Sequence, residues 1–289
     1  MWMKKSRALI LAVAMAVGVS GCLADIRPRD FQEVKEVSAS DEARGRELLE
    51  RAAKAHGIEK FSQIQTYTMR VRDQWRGVMP RMLNPWPDHE VDVRLSYRAG
   101  SFDGRAEFLD GSLRGHTWGL QSWRAYQIDE EQALAFEPNG DAEFILPAIQ
   151  YLNEFVFRDH SSQIVTYMGR REVSGKSYEA VFVTWDGLSP SKHTDQYIAY
   201  IDPDTDRVDK LYFTVRDQMK MATGAIHYED VRDVDGVLFA FKQYVTLNVD
   251  QEPEAYAHLI SVSSVELDAV DASVFSVNDE LSELGDVKP

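Results

Sequence analysis

The chain has one cysteine in 289 residues, Cys22. No disulfide framework can form within it, so a stable core must come from burial alone. It also lacks any excess of basic residues. Its 32 Lys and Arg stand against 47 Asp and Glu, for a net charge of −15. Nucleic-acid binding rests on cations that neutralise phosphates, so no nucleic-acid partner is expected. No apolar run reaches the ~20 residues that a membrane-spanning helix requires; the run at the start, Ala8–Val19, is too short. Signatures of catalysis are missing too. There is no G-x-S-x-G elbow and no phosphate-binding glycine loop. His56, His89, His116, His160, His193, His227 and His258 show no paired ligand spacing. Asp202, Asp204 and Asp206 open like a calcium loop, but Arg207 stands where glycine is required and Phe213 where the closing glutamate belongs. A hairpin turn explains them. No metal, cofactor or catalytic residue is expected, and the chain is read as non-enzymatic.

What is present begins at the N-terminus. Met1–Gly21 has the parts of an export signal: basic Lys4, Lys5 and Arg7, the apolar run, then small Ser20 and Gly21. Val19-Ser20-Gly21-Cys22 fits the lipobox of a bacterial lipoprotein. It implies cleavage before Cys22, a diacylglyceryl thioether on its sulfur and an acylated new N-terminus. The plainer alternative is an ordinary secretory signal beside a chance cysteine. Leu23, in place of an aspartate after the cysteine, points to the periplasmic face of the outer membrane of a Gram-negative cell. Loss of the signal takes three cations with it and moves the net charge from −15 to −18. Such a body is repelled by anionic headgroups, so its hold on the membrane is expected to come from the lipid on Cys22, at ~0.8 kcal/mol per buried CH₂. Residues 22–40 show no period and read as a tether; 41–289 read as the folded body.

Within the body, Asp41–His56 has a helical period, with Ser40 or Asp41 as cap and Gly57 after its last turn. The period then switches to two. Tyr67, Met69, Val71 and Trp75 alternate with polar residues, as do Val91, Val93, Leu95 and Tyr97, and again Val237, Phe239, Phe241 and Val245. Such alternation marks antiparallel strands with one apolar face. Asp141–Phe157 interrupts them with a helical pattern whose regular part is expected to start near Pro147. Ser174-Gly175, Asp202–Asp206 and Asp235-Gly236 punctuate hairpins. About eleven strands and two substantial helices follow: a mainly β, α+β chain.

Tyr67, Met69, Val71, Val93, Leu95, Phe239, Phe241 and Val245 are candidate walls of an apolar cavity, against the plainer reading of a packed core. Ile149, Leu152 and Phe155 are candidate lid residues. Met79, Met82, Leu83 and Trp86 lie among Pro80, Pro85 and Pro87, and are candidates for a cavity rim or a membrane-touching loop, or a buried excursion.

The order of these elements resembles a known family. A lipoprotein signal leads to the helix Glu47-Leu48-Leu49-x-x-Ala52-x-x-Ala55-His56-Gly57, which runs into the strand Ile64–Val71. A helical piece then interrupts the sheet, and a long antiparallel run ends near Phe275. This is similar to the LolA/LolB-type lipoprotein carriers and receptors and the related outer-membrane lipoprotein-sorting proteins. The resemblance implies a curved, unclosed antiparallel half-barrel, helices over its concave face, and acyl chains of a lipid or lipoprotein as ligand. The alternatives are an envelope sensor or scaffold that uses the same fold to hold a protein partner, a lipocalin-like closed barrel, and a hydrolase.

Overall fold

The computed structural model describes residues 23–161 and 163–282. The export signal, Cys22 and its lipidation lie outside the described residues. Three helices come first: α1 (Arg29–Gln32), α2 (Ala39–His56) and α3 (Ile58–Phe61). Strands β1 (Thr66–Trp75), β2 (Glu90–Arg98), β3 (Gly104–Phe108), β4 (Thr117–Gln121), β5 (Arg124–Ile128) and β6 (Leu134–Ala135) follow, with the short helix α4 (Val78–Met82) between β1 and β2. Helix α5 (Gly140–Glu154) and a 3₁₀ turn, Phe155–Phe157, come next. The chain then forms β7 (Ile164–Val173), β8 (Lys176–Thr184), β9 (Gln196–Ile201), β10 (Val208–Thr214), β11 (Thr223–Val234), β12 (Val237–Thr246) and β13 (His258–Leu267).

All thirteen strands belong to one antiparallel, unclosed sheet, ordered β6-β5-β4-β3-β2-β1-β13-β12-β11-β10-β9-β8-β7. The chain lays strands from the centre to one edge and crosses to the far edge through α5. It then returns strand by strand, until β13 pairs with β1 at the centre. Met69 lies between Leu95 on one side and Val265 on the other. The count exceeds the expected eleven partly because β6 is two residues long and carries no readable period.

Two buried clusters share the concave face. The first joins β1, β2, β12 and β13 to α5 and Phe61. The second joins β7–β11 to α2 and the 3₁₀ turn, through Leu48, Leu49, Ala52, Phe155 and Val156. The odd residues of β12 run through both, from Val237 in the first to Val245 in the second. On the opposite face, β1–β3 carry a solvated ion-pair ladder: Arg70–Asp92 at 3.1 Å, Arg94–Glu107 at 2.6 Å, and Arg72–Glu90.

Helix α2 begins at Ala39, two residues before its expected start, because Ser38 caps it by accepting from the Asp41 amide at 3.1 Å. It ends at Gly57, with φ of 91°. A Cβ there would also lie 2.0 Å from the Gly236 carbonyl oxygen, so this position needs glycine twice over. The Ser174-Gly175 and Asp235-Gly236 turns have positive φ at both residues, the backbone that two-residue hairpins favour.

Two expectations are corrected here. Helix α5 starts at Gly140, well before Pro147, because the Asn139 side chain accepts from the Ala142 amide at 3.1 Å and caps the earlier turn. Pro147 lies buried inside the helix. Residues 24–37 are not a free tether. Ile26 and Phe31 are buried against Met168, Phe182 and Ile198 on the outer face of β7–β9, with Val34 and Val37 packed beside them. The Phe31 ring lies 5.9 Å from that of Phe182. An irregular segment covers this apolar outer face, so its buried side chains follow no period.

Candidate functional site

Seven of the eight wall candidates share the first cluster: Tyr67, Met69, Val71, Val93, Leu95, Phe239 and Phe241. Register explains the company, since Tyr67 opposes Tyr97, Met69 opposes Leu95 and Val71 opposes Val93. Val245 sits in the neighbouring cluster beneath α2. Of the lid candidates, Ile149 faces the wall, while Leu152 and Phe155 reach the second cluster. α5 and its 3₁₀ extension therefore bridge both.

The concave interior is filled. Beside the end of α5 a cavity of about 30 Å³ remains, lined by His56, Leu152, Phe155, Val208, Tyr228 and Phe239 among others. That is room for a water or two, against the several hundred Å³ of an occupied ligand site. A larger cleft of about 470 Å³ opens on the outer face. It is polar, and Lys210 Nζ lies 3.0 Å from His227 Nδ1 within it.

The C-terminal end of α5 is fastened by polar groups. Arg158 pairs with Glu154 at 2.8 Å and donates to the carbonyls of Gly100 and Ser101, at 3.0 and 2.7 Å. Its guanidinium also lies 4.1 Å from the centre of the Phe102 ring. Gln150 Nε2 donates to the Arg98 carbonyl at 2.9 Å and to Glu154 at 2.8 Å. The helix is thus latched to the β2–β3 hairpin. Burial pushes the Glu154 carboxyl above the usual carboxylate range, against the pull of Arg158. Burial and then Glu154 push the Tyr67 and Tyr97 phenols up. Both hydroxyls, and Gln150 Oε1, are buried without a well-formed hydrogen bond among the described residues. Unpaired polar groups in a low-dielectric interior are costly, so this end of the lid is held less securely than its burial suggests. Sequence reasoning missed the latch. Tyr97 continues the alternation of β2 and was open to view, but Glu154 is one of 47 acidic residues, and no local pattern marks it as buried.

The rim candidates divide. Val78, Met79, Met82 and Leu83 are exposed at 79%, 61%, 76% and 38%. Trp86 is corrected: it is buried between Phe108 and Trp118, with ring centres 5.9 and 6.1 Å away. Its indole donates to Asp73 at 2.9 Å. The fully buried Asp73 also accepts from the Trp75 indole at 3.1 Å and faces His258 Nδ1 at 3.0 Å. Trp86 thus anchors the loop, and α4 is what the loop presents. No group of His, Cys, Asp or Glu among the described residues is arranged to hold a metal, and Asp202 organises a turn by accepting from the Asp204 amide at 2.8 Å.

No protein-family profile matches the chain. Among curated proteins, DNA-directed RNA polymerase delta subunits of several Streptococcus pneumoniae strains are 28% identical over 173 residues, 58% of this chain and 78% of theirs; this likeness assigns neither family nor activity. Solved structures give a consistent picture. A chain described as an outer membrane lipoprotein-sorting protein domain from Vibrio parahaemolyticus aligns over 84% of this chain and all of its own, at a TM-score of 0.51 and 12% identity. A LolA superfamily protein from Nitrosomonas europaea covers 82% and 98%, at 0.50 and 10%. A DUF1329 family protein from Desulfovibrio piger covers 81% and 97%, at 0.50 and 10%. The unclosed curved sheet, the helices on its concave face and these alignments together give this chain the LolA-type fold.

Proposed function

We propose that this chain is a lipid-anchored protein of the periplasmic face of the outer membrane. It binds acyl chains of a lipid or lipoprotein between its concave wall and α5, in lipid or lipoprotein trafficking, and acts without catalysis. The observation that carries this reading is α5 itself. An apolar helix crosses an apolar wall of Tyr, Met, Val, Leu and Phe, and polar bonds to one hairpin fasten its end. Because the interior is filled, an acyl chain enters by displacing side chains of α5. At ~0.8 kcal/mol per methylene, a long chain offers on the order of 10 kcal/mol of gross burial, enough to compete with a plug whose latch is poorly bonded. The lipoprotein-sorting name of a neighbour with the same fold supports the reading, as does the lipobox at Cys22.

The test is native mass spectrometry of a Cys22→Ala form purified from periplasm, before and after delipidation, with uptake of a fluorescent fatty acid. A co-purifying lipid mass and saturable uptake are expected. A bare-chain mass together with no uptake sinks the reading. The filled interior favours a second reading, an interaction module whose exposed Val78, Met79 and Met82 hold a protein partner. Its mark is crosslinking through that loop while the interior stays free of ligand.

A further inference from the structure

One rim of the sheet carries a feature that acyl-chain binding does not use. The tip between β10 and β11 exposes Met219 at 41% and Met221 at 54%, with Lys220 exposed between them. Leu247, exposed at 53%, lies alongside, because Thr223 Oγ1 donates to its carbonyl at 2.7 Å. The described chain begins at the same place. The Ala24 amide donates to the Lys220 carbonyl at 3.0 Å. Arg216, itself buried, donates to the Lys220 carbonyl at 2.6 Å and to the Ala24 carbonyl. Downstream, the Ile26 amide donates to Gln196 at 3.2 Å. The backbone two residues after Cys22 is thus fixed to this tip, and two residues span at most ~7 Å.

We propose that the β10–β11 tip docks on the bilayer surface: Met219, Met221 and Leu247 enter the boundary between headgroups and acyl chains, and Lys220 meets lipid phosphates. This rests on the reading of Cys22 as the lipid-bearing residue. A free tether would let the body tumble, but residues 24–37 are packed onto the sheet, so the anchor sets orientation as well as residence. With the anchor within ~7 Å, contact between tip and lipid is an intramolecular event at high effective concentration. Three exposed apolar side chains then suffice where a free protein would need many. Asp217 is exposed on the same tip and limits the electrostatic gain, so apolar insertion leads and Lys220 assists.

The experiment uses the full mature chain extracted from membranes, with its intact mass measured first. It is reconstituted in vesicles of phosphatidylethanolamine and phosphatidylglycerol, and amide hydrogen exchange is compared with that of the Cys22→Ala chain in solution. Exchange over residues 216–222 and at 247–248 is expected to slow about tenfold on vesicles, while the Asp202–Asp206 turn at the opposite rim stays unchanged. A Met219→Asp, Met221→Asp double variant changes exposed positions only and is expected to lose the slowing. An unmodified mass at Cys22 overturns the anchor and with it the docking. A lipidated chain whose tip exchanges as fast on vesicles as in solution overturns the docking alone. Protection of the tip in the Cys22→Ala chain without lipid also overturns it, and marks a second copy or a protein partner as the occupant.

Discussion

His56 and His227 are held neutral by their surroundings. Burial, and then Arg207, pushes His56 down to about 4; burial, and then Lys210, does the same to His227. His56 Nε2 accepts from the Val208 amide at 3.2 Å, a role that a protonated ring cannot fill. In the unfolded chain both rings titrate near 6.5. Between pH 6.5 and 4 the unfolded state therefore binds more protons than the native state, and stability falls as pH drops through that window. Urea unfolding at pH 7 and pH 5 is expected to show a lower midpoint at pH 5, and His227→Gln to reduce the difference; equal midpoints at the two pH values refute the argument. None of this was legible in the sequence, where both histidines stood out only as poor metal ligands. Burial comes from register across distant strands, and His227 meets Lys210 because they are paired residues on β11 and β10.

Among elements, α5 shows how far pattern reading goes. Its three- and four-residue spacing made it readable as a lid, and the alternation of β1, β2 and β12 made the wall readable, because each periodicity is local. The latch was not readable, since it depends on where the helix ends relative to the β2–β3 hairpin. It also lends itself to a direct test. Arg158→Ala removes the bonds to Gly100 and Ser101, the pair with Glu154 and the stack on Phe102. It leaves Glu154 buried without its cation, which is costly. Exchange of the amides of residues 145–157 is expected to quicken about tenfold or more, while β8 and β9 stay protected. Uniform loss of protection would instead mean that α5 has no independent motion. Trp86 teaches the same lesson in reverse. Prolines around it forbade regular structure and suggested a loose loop, yet a single indole bond to buried Asp73 fixes the loop to the core.

For the whole molecule, the packed N-terminal segment changes what counts as the domain. Ile26 and Phe31 seal an outer face that would otherwise be wet, so the folded unit starts near Ala24 and not at the α2 cap. Phe31→Ala is expected to cost about 3 kcal/mol, in the range for a large buried aromatic, and to lower the thermal midpoint. A surface tether would give no change. The sequence could not reveal this, because an irregular segment against a sheet leaves neither a period of two nor one of 3.6.

The seam where β13 joins β1 has a consequence for how the chain is made. The ribosome delivers β1 early and β13 nearly last. Once β1 has paired with β2, its other edge, with Tyr67, Met69 and Val71 on the apolar face, must wait for the arrival of Leu259–Leu267. Closure across so long a loop is slow, and an uncovered central strand invites pairing with other chains. The strand synthesised last therefore finishes the middle of the sheet. Any truncation before His258 leaves a nascent chain that exposes its most hydrophobic surface at the point where it should be most protected.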